Sequence, residues 1–172
     1  MDPYSSHLPI LEAIYHLVPI DSVFEYGCGR FSTPFFASNS KAVVSVEMQD
    51  VAWYTTMSEE LKSYPNLTLM ESLGAWPALE LYRALDRRWD LVFVDGHADS
   101  RWNCINLATL NCDIIVAHDT ESPGYGWSHV LLPPNYVEIR FKEHHPWTSV
   151  WTCNKLLKSH FAKTAYLIEG AL

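Results

Sequence analysis

Several features are missing from this chain of 172 residues, and each absence narrows what it can be. Its four cysteines, at positions 28, 104, 112 and 153, form no Cys-x-x-Cys pair. That removes the spacing of a structural zinc site or a disulfide framework, and free thiols in a reducing compartment are the simplest account. No apolar run approaches the ~20 residues of a membrane span. The opening stretch MDPYSSHLPILEAIYHL has no basic segment ahead of an apolar one, as a secretory leader would. A cytoplasmic protein without a membrane partner is expected. Basic residues are scarce, with 12 Lys and Arg against 20 Asp and Glu and a net charge of −8. Such a balance repels phosphate backbones, and the one close basic pair, Arg87-Arg88, reads as a solvated helix end, so nucleic acid is disfavoured as the main partner. No repeat, low-complexity tract or linker divides the sequence. Residues 1–172 are expected to form a single domain burying roughly two-thirds of its unfolded surface.

What is abundant is apolar. Hydrophobic residues make up 48%, which argues against wholesale disorder. Aromatics reach 13% with seven Trp, and two readings stand side by side: core filling, or an aromatic-walled pocket. The order along the chain is an alternation. Leu8, Leu11, Ile14, Tyr15 and Val18 recur at helical spacing with Pro9 in the first turn. The apolar run Val23-Phe24 follows, ending in Glu25-Tyr26-Gly27-Cys28-Gly29. A helix from Ser32 to about Ser38 leads to a strand over 42–47. Asp50 is placed to cap the next helix, which Pro65 ends. Further strands are expected over 66–70, 90–95 and 113–117, with helices over 77–85 and 101–110 between them.

Near-continuous apolar strands, each followed by a helix, imply a parallel sheet covered on both faces. Two later runs, 136–141 and 149–151, are separated by a short polar stretch around His144-His145-Pro146 and predict an antiparallel hairpin at the sheet edge. The expected fold is therefore α/β, a three-layer Rossmann-like sheet, mostly parallel with a C-terminal antiparallel hairpin.

Ligands of open α/β sheets bind outside the carboxyl ends of the strands, near the switch in strand order. Here those ends carry Glu25, Gly27 and Gly29, then Glu47, Glu71-Ser72, Asp95-Gly96-His97 and His118-Asp119. Polar residues thus collect at one rim of an otherwise apolar sheet. Gly27 and Gly29 permit a tight turn and close approach of a ligand to the backbone. The helix opening at Ser32-Thr33 aims free N–H groups at the same place. Glu47 lies twenty residues after Gly27, at the end of the second strand, where a carboxylate can accept hydrogen bonds from both hydroxyls of a ribose.

These motifs resemble the class I S-adenosylmethionine-dependent methyltransferases, whose first motif runs Glu/Asp-x-Gly-x-Gly-x-Gly. Glu25, Gly27 and Gly29 match it. Phe31 stands where the third glycine usually lies and is followed by Ser32-Thr33, a variant seen in some small-molecule methyltransferases. The resemblance implies that S-adenosylmethionine is the cofactor. Gly27, Gly29, Ser32 and Asp95 would contact it, Glu25 would orient the loop and the amino end, Glu47 would hold the ribose, and Ser72 and Leu73 would sit near the adenine. Val-Asp-Gly-His at 94–97 and Ala-His-Asp-Thr at 117–120 are similar to metal-dependent O-methyltransferases of the macrocin and cephalosporin-hydroxylase-like type. Carried over, Asp95, His118 and Asp119 would hold a divalent metal ion. Asp95 and His97 would be catalytic, His97 as general base. Histidine ligation would favour manganese, iron or zinc over magnesium. The acceptor would be a hydroxyl of a small molecule or glycan.

Residues 119–135 hold Pro123, Gly124, Tyr125, Gly126 and Trp127, and read equally as an acceptor wall or as a connection pinned to the core. His144-His145 reads as a solvated turn. The segment after Cys153 has no clean periodicity and is expected to dock on the core or on a second subunit of a homo-oligomer. Two other functions use part of the same pattern: an NAD(P)-dependent oxidoreductase, against which Glu25 and the missing Gly-x-Gly-x-x-Gly stand, and a catalytically silent S-adenosylmethionine-binding module.

Overall fold

The alternating pattern folds as one eight-stranded sheet covered by helices on both faces. The structure is a computed structural model and describes residues 2–85, 87–163 and 167–169. The first half runs α1 (Leu8–Leu17), β1 (Ser22–Tyr26), α2 (Ser32–Asn39), β2 (Ala42–Glu47), α3 (Val51–Leu61) and β3 (Leu67–Glu71). The second runs α4 (Ala75–Leu85), β4 (Leu91–Val94), α5 (Arg101–Ala108), β5 (Ile114–His118), β6 (Val137–Phe141), β7 (Thr148–Thr152), α6 (Lys155–Lys163) and β8 (Leu167–Glu169). Strand order is β3-β2-β1-β4-β5-β7-β6-β8. The first five pair in parallel, and β7, β6 and β8 join antiparallel. The chain therefore reverses its direction of sheet growth between β1 and β4, and the crevice for a ligand opens there.

Period-two alternation sorts the strand side chains between two cores. Phe24, Val92, Val94, Ile115 and Trp151 pack with Tyr82 of α4 and Ile105 of α5. Val23, Leu91, Phe93, Val116 and Val150 pack with Leu11 and Ile14 of α1, Phe36 of α2 and Phe161 of α6. Because Glu25 alternates with Phe24 and Tyr26, it points to the α1–α2 side, and His118 does so for the same reason after Ala117. The sheet thus sends its polar strand-end residues toward one helical layer.

Local chemistry agrees with most expected boundaries. The Asp50 side chain accepts from the backbone N–H groups of Ala52 and Trp53, capping α3. The hairpin of β6 and β7 forms as expected, and α5 stops at Ala108, short of the 110 that the apolar pattern suggested. After Cys153 the chain forms α6, whose Leu157 and Phe161 are buried, and then β8 beside β6. Irregular spacing hid α6 because only two of its side chains reach the core. Among the described residues, no helix is long and apolar enough to cross a membrane.

Candidate cofactor site and the charged cluster beside it

The glycine turn is built around one carboxylate. Glu25 is fully buried, and its Oε2 accepts from Thr33 Oγ1 at 2.6 Å and Ser45 Oγ at 2.5 Å. Thr33 Oγ1 in turn accepts from the backbone N–H of Gly29 at 2.9 Å. The side chain under β1 thereby fixes the loop above it. Glu25 Oε1 has no hydrogen-bond partner among the described residues. Burial pushes its carboxyl up to about 7, partly offset by hydrogen bonds from Ser32, Ser45 and Thr33 and reinforced by the charge of Asp95. Gly27 has φ +87°, and a Cβ there would meet the Asp95 carbonyl oxygen at 2.6 Å. Only glycine lets the ends of β1 and β4 approach this closely.

A cavity of about 500 Å³ opens over this turn, bounded by residues 28–32, Trp53, Asp95 and, from the N-terminus, Asp2, Tyr4 and His7. Trp53 Nε1 donates to the Cys28 carbonyl at 2.8 Å, and the Arg30 guanidinium lies 5.2 Å from the Trp53 ring centroid. Some of the aromatic excess therefore walls a pocket, while Phe24, Phe36 and Trp89 fill the core. Glu47 is buried at the end of β2. Its Oε1 accepts from the N–H groups of Gln49 and Asp50, and among the described residues its Oε2 takes only the Cys28 thiol at 3.3 Å. A thiol is a weak donor, so this oxygen is weakly satisfied, and Glu47 lies behind the cavity wall rather than in it.

Ser72 and Leu73 follow β3 next to Glu47. The Ser72 N–H donates to the Glu47 carbonyl at 2.9 Å, and Leu73 is exposed. Neither lines the cavity. His97 does not line it either. Its Nδ1 accepts from the Asp99 N–H at 3.3 Å, capping a short 3-10 turn.

At the ends of β4 and β5, Asp95, His118 and Asp119 converge around Arg101. The buried guanidinium is engaged at all three of its nitrogens. Nε donates to the Gly96 carbonyl at 3.0 Å, and NH1 donates to the His118 carbonyl at 2.9 Å and Asp119 Oδ2 at 3.2 Å. NH2 donates to the Asp95 carbonyl at 3.2 Å and pairs with Asp95 Oδ1 at 3.0 Å. Tyr125, from the loop after β5, lies over it with 4.2 Å from the guanidinium carbon to the ring centroid. Trp127 of the same loop stacks on Trp151, 6.0 Å between centroids. The loop is thus both pinned to the core and presented to the charged cluster.

His118 has a defined proton arrangement. Ser6 Oγ donates to the Pro146 carbonyl at 2.9 Å, so it accepts from His118 Nε2 at 2.7 Å. The other nitrogen, Nδ1, faces Asp95 Oδ2 at 3.5 Å and Asp119 Oδ1 at 3.6 Å. Burial opposes a charge on His118, but Asp95 and Asp119 outweigh it and raise the imidazole above its ordinary value. Burial would also raise Asp95. His118 and Arg101 reverse that and hold its carboxyl below the usual range. Burial and the Asp95 charge raise Asp119.

One donor atom each from Asp95, His118 and Asp119 lies within 4.8 Å of the others, a spacing that a divalent ion could bridge. The charge does not suit one. Two carboxylates are already met by two cations, the Arg101 guanidinium and the His118 imidazolium. An ion would displace the His118 proton and leave an excess positive charge in a buried cluster, which is costly. The residues fit a metal in spacing and not in charge.

Sequence reasoning placed Glu25, Gly27, Gly29, Ser32, Glu47, Asp95, His118 and Asp119 at this rim; of these, Gly29, Ser32 and Asp95 line the cavity, and the other five lie at the strand ends around it without lining it. It missed Ser6 and His7, which no local pattern marks, and it read Arg101 only as the start of a helix.

No family model matches the chain, and no curated protein sequence does. Solved structures share the fold. A protein named as an O-methyltransferase from Klebsiella pneumoniae aligns with a TM-score of 0.66 at 18% identity, covering 83% of this chain and 78% of that one. A protein named as a methyltransferase from Streptococcus mutans, in complex with SAH, aligns at 0.62 and 10% identity, covering 83% and 96%. An rRNA methylase from Streptococcus thermophilus aligns at 0.61 and 15%, covering 88% and 98%. At these identities the likeness is one of fold, and the chemistry must be argued from the site.

Proposed function

We propose that this protein is a methyltransferase that uses S-adenosylmethionine to methylate a hydroxyl of a small molecule or glycan, acting in the cytoplasm. The observation that carries the reading is the pair of carboxylates at the switch point. Glu25 holds the glycine turn from beneath, and Glu47 keeps an oxygen free of strong donors at the next strand end. An amino-acid–nucleoside cofactor needs both, one at each end. The S. mutans relative of the same fold is solved with SAH, which supports that cofactor.

Methyl transfer from a sulfonium is an in-line displacement. The acceptor oxygen forms a bond to the methyl carbon as the carbon–sulfur bond breaks, the bonding pair stays on sulfur, and the hydroxyl proton passes to the carboxylate that accepts its hydrogen bond and from there to water. Rate comes largely from alignment. Of the two candidate catalytic residues, Asp95 lines the cavity and is held ionised beside Arg101, so it is the group placed to accept a hydrogen bond from the acceptor. His97 stands outside, engaged with Asp99. No step here needs a metal ion.

Calorimetry with S-adenosylmethionine, SAH and NAD tests the reading, and binding of NAD alone would replace it with the oxidoreductase. Release of SAH in the presence of an acceptor library, with and without chelator, then separates an enzyme from a silent binder. Glu47→Gln retains a carbonyl oxygen for Gln49 and Asp50 but loses the charged acceptor. It is expected to weaken SAH and 5′-methylthioadenosine alike, by about 1–3 kcal/mol, the range for hydrogen bonds to a charged group. Unchanged affinity for both compounds takes Glu47 out of the ribose role.

A further inference from the structure

We propose that the N-terminal strap, residues 2–7, belongs to the cofactor site, and that His7 hydrogen-bonds the amino-acid end of the bound cofactor. The inference rests on the methyltransferase reading above and adds a contact that none of the strand-end motifs supplies.

His7 is 2% exposed, yet it lines the cavity together with Gly29, Ser32 and Asp95. Neither of its ring nitrogens has a hydrogen-bond partner among the described residues. Its ring neighbours are Phe93, 5.0 Å between centroids, and the edge-on ring of His118 at 4.9 Å. Phe93 can offer no acceptor, and both nitrogens of His118 are committed to Ser6 and the two carboxylates. A buried imidazole with two unmet groups is an unusual thing for a folded protein to keep. A ligand in the cavity that His7 lines is placed to meet them.

The strap is held so that this ring cannot swing away. Ser6 is tied to both the Pro146 carbonyl and His118, which anchors the strap to β5 and to the turn before β7. The next residue enters α1, whose Leu11 and Ile14 are fully buried. His7 is therefore fixed between two anchored points in the wall of the cavity.

Its unpartnered ring nitrogens narrow the ligand. A neutral imidazole presents one N–H donor and one lone pair. An α-amino acid presents the complementary pair, a carboxylate that accepts and an ammonium that donates. Asp95 on the same wall attracts the ammonium, and the His7 N–H then faces the carboxylate beside the opening of α2 at Ser32.

Calorimetry with SAH and 5′-methylthioadenosine tests this, because the second compound keeps the nucleoside and thioether but lacks the amino acid. His7→Ala is expected to weaken SAH about tenfold or more while leaving methylthioadenosine within twofold. His7→Gln, which also offers one donor and one acceptor, should recover part of the loss. In the wild-type protein, SAH but not methylthioadenosine should shift the His7 ring nitrogen resonances, a readout that stands even if the variants fold poorly. SAH affinity unchanged in His7→Ala, or both compounds weakened together, overturns the proposal, as do ring resonances that stay put on adding SAH. A wild-type protein that binds neither compound sinks the methyltransferase reading itself. Loss of methylthioadenosine in Glu47→Gln but not in His7→Ala marks the two ends of the cofactor separately.

Discussion

Replacing Glu25 by glutamine is expected to stabilise the protein at pH 8 by about 3 kcal/mol while weakening S-adenosylmethionine binding about tenfold. The carboxyl moves from an ordinary 4.5 to about 7 on folding, chiefly because it is desolvated. Its native value is the higher one, so the folded state holds the proton more tightly than the unfolded chain. Whatever stability the protonated group allows is complete below pH 4.5 and is lost as pH rises through 7. At pH 8 the wild-type protein must therefore keep an ion where water cannot reach. Glutamine keeps an oxygen to accept from Thr33 and Ser45 and carries no charge at any pH. The gain should shrink to about 1 kcal/mol or less at pH 5, where the native carboxyl is already neutral. Urea unfolding of both proteins at the two pH values measures it, and an equal gain at pH 5 and pH 8 would show that charge is not its source. A protein that keeps an ionisable group in this place gives up stability for something. The cationic amino end of the cofactor is the natural reason, since a neighbouring positive charge would return the carboxyl to its ionised form. Stabilisation without loss of cofactor affinity would break that link between the strain and the function.

How much of this was legible beforehand depends on how far apart the participants lie in the chain. Glu25, Gly27, Gly29 and Glu47 could be read because each closes or follows a parallel strand, and a strand end marks itself by an apolar run meeting a polar residue. Asp95 and His118 were legible for the same reason. Their charge arrangement was not. It depends on Arg101, whose position looked like an ordinary helix start, and on Ser6, which lies 112 positions from His118. His7 was invisible because it is brought to β4 and β5 by the packing of α1 on the sheet and by the Ser6 hydrogen bonds to distant residues. His97 shows the other side of this: adjacency to Asp95 in sequence suggested a shared task, and the backbone places its side chain as a cap on the following residues, outside the cavity lining. Ser72 and Leu73 were placed next to the correct strand end but one step outside the cavity wall. The pattern of a sheet edge shows which residues share a rim, and side-chain direction decides which of them meet.

Removing the Arg101 guanidinium is expected to be the most damaging single change near the site and also to create a metal site where the wild-type protein has poor use for one. In Arg101→Ala two carboxylates lose their fixed cation, and the carbonyls of Asp95, Gly96 and His118 lose their donors. Breaking a buried pair of this kind costs about 3–5 kcal/mol, read as a lower urea midpoint. Arg101→Lys keeps the charge but cannot reach both carboxylates and three carbonyls from one nitrogen, so it should recover only part of the loss. The charge argument makes the second expectation. Without Arg101, Asp95 and Asp119 exceed the cationic His118 by one negative charge, and a divalent ion that displaces the His118 proton brings the cluster to neutrality instead of leaving it positive. Zn²⁺ or Mn²⁺ should therefore raise the melting temperature of Arg101→Ala and leave that of the wild-type protein unchanged, with chelator reversing the effect in the variant alone. Wild-type protein that is stabilised by Mn²⁺, with the effect abolished in Asp95→Asn, would mean that the three donors hold an ion despite Arg101. The guanidinium would then be a neighbour of the metal rather than its replacement.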